Sequence, residues 1–212
     1  MDANEKENNA PGNMGLFDQR LALEWIHLNI EKFGGDKTQI TIFGESAGAA
    51  SVNFHLLSPL SWPLFNNGIL ESGASLCPWA IIENRTLAHE RNKNIVNYIG
   101  CNQNKTKEKI DCLRKVDAQT LLSKADEYFY SQANQGILQF TFLPVVDGLF
   151  LTDTPRKLLN EGKFKKVNFI LALRKKGFIQ KSMLLMPKYL YVSSTITCLS
   201  CFPFQFIVLA LD

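Results

Sequence analysis

An α/β fold built on a largely parallel sheet is the architecture this sequence predicts, and three observations point to it. Helical and strand patterns alternate along residues 16–99. A sharp glycine turn joins a short apolar strand to an alanine-rich helix. Hydrophobic residues make up 46% of the 212, enough for one compact fold with a sizeable core.

From Leu16 to Phe33 apolar residues recur at helical spacing (Leu16, Leu21, Trp25, Leu28, Ile30), and Gly34-Gly35 supplies a C-terminal stop, so the segment reads as an amphipathic helix. A polar turn at 36–39 leads into Ile40-Thr41-Ile42-Phe43, a β-branched and aromatic run that reads as a buried strand bounded by Gly44. Ala47 to Leu57 is small, apolar and helix-prone, and it stops at Ser58-Pro59 because proline pushes its predecessor out of the helical region. Gly68-Ile69-Leu70-Glu71 is a second strand ending at Ser72-Gly73, and Thr86 to Ile99 has a helical pattern.

Charge and cysteine usage exclude several function classes. The net charge of +3 is uneven: residues 1–162 hold 15 Lys+Arg against 19 Asp+Glu, and residues 163–212 hold 8 against 1. The basicity belongs to the tail, and no basic run is interleaved with aromatics, so a nucleic-acid partner is not expected. Met1 to Glu7 lacks the basic start and apolar run of a signal peptide. Five scattered cysteines, with Cys198-x-x-Cys201 lacking a partner pair, give neither a disulfide scaffold nor a metal site, and no cofactor is implied.

Gly44-Glu45-Ser46-Ala47-Gly48 has the form G-x-S-x-G between a strand and a helix. A serine in such a turn is lifted clear of the sheet on a strained backbone, and only small residues fit two positions before and after it, where chain segments nearly touch. Ser46 is therefore a candidate nucleophile, and the N–H of Ala47, at the helix start, a candidate donor to an oxyanion. The alternative is a glycine-flanked serine that merely caps the helix.

Three stretches carry a resemblance wider than the motif: Gly12-Asn13-Met14-Gly15-Leu16-Phe17-Asp18-Gln19-Arg20-Leu21-Ala22-Leu23, Phe43 to Val52, and Phe142-Leu143-Pro144-Val145-Val146-Asp147-Gly148. From about Ala10 to about Asn168 the chain resembles the cholinesterases of the type-B carboxylesterase family. The resemblance implies a partial α/β-hydrolase fold, incomplete at both ends, and hydrolysis of choline or other carboxylic esters through an acyl-enzyme on Ser46, with Glu45 as a negative charge beside it. It also implies that Trp79, Leu138 and Phe140 shape an acyl pocket, for which packing in the core is the plainer alternative. Cys101 and Cys112 match a family disulfide, and Asn84 and Asn104 match glycosylation sequons. The same likeness implies a secreted or cell-surface parent and leaves a homo-oligomeric assembly open.

The family's triad acid lies in a Lys-Asp-Glu-Gly run, where this chain reads Arg174-Lys175-Lys176-Gly177, and no histidine follows His89. The boundaries read from this are a partial esterase domain over 1–172 and a divergent tail over 173–212, basic and then hydrophobic. Chain residues 1–212 alone are expected to be inactive and to leave a sheet edge unpaired. Tyr189 to Leu211 has no charged residue, which leaves membrane contact by the tail open. A truncated non-catalytic isoform and a tail-anchored binding protein stay open as alternatives to a piece of an active esterase.

Overall fold

A computed structural model describes residues 12–131 and 140–172, together with the backbone of 206–210. The elements are α1 (Met14–Asn29), β1 (Ile40–Glu45), α2 (Ala47–Leu57), β2 (Asn67–Glu71), α3 (Arg85–Ile99), α4 (Thr106–Lys115), α5 (Ala118–Ser131), α6 (Pro155–Asn160), β3 (Asn168–Ala172) and β4 (Phe206–Ala210). They fall into two compact units, one of Gly15–Ala80 with Gly148–Asp212 and one of Met1–Met14 with Ile81–Asp147.

The first unit holds the sheet, in the order β3-β2-β1-β4. β1, β2 and β3 run parallel, with Thr41 opposite Asn67 and Glu45 opposite Glu71, so the two carboxylate-bearing residues end adjacent strands side by side. The expected α/β fold with a parallel sheet is what the chain adopts. Ile40 and Ile42 of β1 pack with Leu23, Ala49, Val52, Leu56, Leu64, Phe65 and Leu70 in one apolar cluster, which binds α1, α2 and the sheet together. Gly34 closes the α1 segment with φ 84°, a left-handed turn that suits a residue without a Cβ.

One expectation is corrected here. On α1 the buried residues are Leu16 and Leu23, with Ile26 packed against the core, whereas Leu21, Trp25 and Leu28 are exposed. The helix has two apolar stripes, and periodicity alone does not say which one meets the sheet. β4, in the tail, pairs antiparallel with β1, from Ile40 opposite Ala210 to Gly44 opposite Phe206, and β3 and β4 are the edge strands of the sheet among the described residues. Backbone N–H and C=O groups on the side of β1 away from β2 thereby find partners. Residues 173–205, with Cys198 and Cys201, lie outside the described residues, so the reading of the tail as a membrane contact is not addressed; among the described residues no helix is long and apolar enough to cross a membrane.

The second unit is helical. Asn84 caps α3 by accepting from the Leu87 N–H at 3.1 Å. Cys101, just past the Gly100 stop of α3, is disulfide-bonded to Cys112 on α4, as the resemblance implied, and the bridge closes a loop of the size that stabilises by about 2–4 kcal/mol. Tyr98 of α3 packs on Tyr128 of α5, with ring centroids 5.5 Å apart.

Candidate active site

β1 delivers the chain to Ser46 and α2 carries it away, and the turn between them is as tight as the glycine spacing predicts. A Cβ on Gly44 would lie 2.4 Å from the Gly48 carbonyl carbon, inside any permissible contact. Ser46 adopts φ 55° and ψ −114°, a conformation that L-residues avoid and that persists where the surroundings impose it. The surroundings are visible: the Ser46 N–H donates to the Glu71 carbonyl at the end of β2 (2.8 Å), and the Ser46 carbonyl accepts from the Ala50 N–H (3.1 Å).

The Ser46 side chain makes no cap bond to the helix it precedes, and the residue is exposed. Helix capping therefore does not explain a serine here. Ala47 begins α2, where the first N–H groups of a helix have no intrahelical acceptor and point towards the turn. Such a turn can hold a nucleophilic oxygen beside at least one donor for a developing negative charge.

Glu45 is exposed next to Ser46; partial burial, reinforced by the Glu71 carboxylate on the neighbouring strand, pushes its carboxyl above the usual range. Sequence reading missed the loop after β2. Ser72 has φ 55°, and a Cβ on Gly73 would fall 2.0 Å from the Ser46 carbonyl oxygen, so this loop forms a wall of the nucleophile turn. The available signal was the Ser72-Gly73 pair at the strand end, read only as a stop. Trp79 follows in the same unit, half-buried. Phe140 lies in the other unit, stacked on Phe129 with centroids 5.6 Å apart, and Leu138 lies outside the described residues. Asn84 and Asn104 are both exposed, and the cap bond of Asn84 uses its oxygen, leaving the amide nitrogen that a glycan would need. Among the described residues no cluster of three or more His, Cys, Asp and Glu could hold a metal.

The three histidines occupy different settings. His55 on α2 is fully buried, its Nδ1 2.8 Å from the Ser61 hydroxyl and its Nε2 3.1 Å from Oε1 of Gln19. Burial, aided by the Arg20 charge, pushes its pKa down to about 3. His27 lies on α1, and His89 is exposed on α3 in the other unit. His55 instead ties α1 to α2, and Gln19 continues the tie to Ser51 at 3.4 Å. Since the folded state holds His55 neutral while the unfolded chain takes a proton near pH 6.5, this contribution to stability is complete above pH 6.5. It is lost on acidification, at about 1.4 kcal/mol per pH unit, until about pH 3. Denaturant unfolding from pH 7.5 to 4 is expected to show a steeper loss of stability on acidification in the unmutated protein than in His55→Gln, which is less stable at pH 7.5 but flatter below 6.5. Parallel slopes would remove the assignment.

Comparison with known proteins places these features in context. The carboxylesterase family model matches residues 3–195, a span that crosses the 172/173 boundary drawn from sequence. The chain is 49% identical over 166 residues to a cholinesterase of Mus musculus, covering 78% of this chain and 27% of that protein. It is 45% identical over 166 residues to an acetylcholinesterase of Danio rerio, covering 78% and 26%, and 44% identical over 164 residues to one of Electrophorus electricus, covering 77% and 25%. The chain thus spans about a quarter of the length of these relatives.

Proposed function

From a chain that belongs to the carboxylesterase family, we propose that residues 12–172 supply the nucleophile to a longer ester hydrolase of cholinesterase type. The observation that carries this is the strained, exposed Ser46 on a turn closed by Gly44 and Gly48, with the start of α2 beneath it. In the proposed reaction the Ser46 hydroxyl attacks the ester carbonyl, the Ala47 N–H stabilises the oxyanion, and the alcohol leaves. Water then releases the acid from the acyl-serine.

The base that takes the serine proton is assigned to none of His27, His55 and His89. His55 is buried, with both ring nitrogens engaged. Residues 1–212 alone are accordingly proposed to be inactive, because a serine without its base and acid loses most of its rate advantage. Glu45, with Glu71 alongside, favours a cationic alcohol such as choline near the nucleophile. The Cys101–Cys112 disulfide and the exposed sequon asparagines support a secreted or cell-surface parent.

Trp79, Leu138 and Phe140 are proposed to limit the acyl group. Leu138→Phe in the complete esterase should lower butyrylthiocholine hydrolysis relative to acetylthiocholine by about 10-fold, as a ring clash of roughly 1–3 kcal/mol implies. An unchanged ratio would remove Leu138 from the pocket.

A further inference from the structure

Asn53 and Ser75 are two of the few polar side chains fully buried in the sheet-bearing unit, at 1% and 0% exposure, and they meet each other. Asn53 Oδ1 accepts from the Ser75 N–H at 3.0 Å and from the Ser75 hydroxyl at 2.6 Å. Asn53 stands on α2 between the buried Val52 and Phe54, at a position where asparagine is neither a strong helix former nor an apolar filler. Its carboxamide nevertheless satisfies a backbone donor that would otherwise be buried and alone, so the conformation of the loop at Ser75 depends on it.

That loop has two ends of consequence. At one end Gly73 presses on the Ser46 carbonyl, with no room for a Cβ. At the other, two tight turns, Cys77 N–H to the Ala74 carbonyl (3.1 Å) and Ala80 N–H to the Cys77 carbonyl (2.9 Å), lead from Ser75 to Trp79. The clamp at Ser75 lies between them. We propose that Asn53 is a positioning residue for acyl selection: by holding Ser75 it fixes the 72–79 loop, and with it Trp79, relative to the nucleophile turn. The inference rests on the assignments of Ser46 as nucleophile and of Trp79 to the acyl pocket.

The test uses the complete esterase, with kcat and KM for acetylthiocholine and butyrylthiocholine, and the fraction of Ser46 labelled by a fluorophosphonate. Asn53→Ala should change the butyryl-to-acetyl ratio of kcat/KM by about 5-fold or more while Ser46 stays fully labelled, because pocket geometry discriminates between acyl groups by such factors. Ser75→Ala keeps the backbone bond and should shift the ratio in the same direction by less; if Asn53→Ala yields no folded protein, this variant decides. Equal losses for both esters, in proportion to the labelled fraction, would show a purely structural role and overturn the proposal. Absence of Ser46 labelling in the unmutated enzyme would instead overturn the functional reading beneath it.

Discussion

Replacing Ser46 with alanine in the complete esterase is expected to lower ester turnover by about 10⁴-fold or more with almost no change in stability. Both halves follow from the turn. The hydroxyl caps no helix and the residue is exposed, so its removal orphans no buried group, and a surface change of this kind falls within about 0.5 kcal/mol. The positive φ is imposed on alanine as it is on serine. In the proposed reaction turnover, by contrast, depends on the oxygen that forms the acyl bond. Thiocholine ester hydrolysis and a denaturant melt on the same preparations check the pair: retained activity, or a stability loss above about 2 kcal/mol, would count against the assignment.

Gly73→Ala should be the most damaging substitution that leaves every candidate catalytic side chain in place. Its Cβ would fall 2.0 Å from the Ser46 carbonyl oxygen and 2.8 Å from the Ser46 carbonyl carbon, and backbone atoms cannot swing aside as a flexible side chain can. Either the loop or the nucleophile turn must move, at a cost of about 3 kcal/mol or more, and a displacement near 1 Å at the nucleophile lowers turnover by about 10²-fold. Gly44→Ala meets Gly48 in the same way. Gly15→Ala is the control, since nothing lies within 4 Å and the site is helical, where alanine is the better residue by about 1 kcal/mol. Melting temperatures and turnover of the three variants should separate as two damaged and one unharmed.

The parts of this fold that local chemistry decides are legible in the sequence. The sequence predicts the helix Ala47–Leu57 with the bounds that the structure shows, because an alanine-rich run between a glycine turn and Ser58-Pro59 has one way to start and one to stop. The strand at Ile40 was equally plain, being β-branched and bounded by glycine. Helices α4 and α5 are not evident in the sequence, where their apolar signal is thin: each buries a single residue, Ile110 and Ala125.

Contacts between distant parts of the chain escaped for a different reason. Nothing local tells that α1 buries Leu23 and exposes Trp25, that Gly73 closes on Ser46, or that Asn53 and Ser75, 22 residues apart, share hydrogen bonds. The pairing of β4 with β1 is of the same kind, since a β-rich apolar run says that it can be a strand but not which edge it joins. For the candidate site, five residues of motif point to Glu45, Ser46 and Ala47 as candidates, whereas the wall supplied by Ser72 and Gly73 requires the sheet to be assembled first.

The central claim is that Ser46 is the nucleophile of an ester hydrolase, and peptide mapping of the complete protein after reaction with a fluorophosphonate tests it most directly. The account predicts one modified peptide, carrying the phosphonyl mass on Ser46 of Gly44-Glu45-Ser46-Ala47-Gly48, with labelling blocked by prior turnover-inhibiting acylation and lost in Ser46→Ala. Modification at another serine with Ser46 untouched would contradict it.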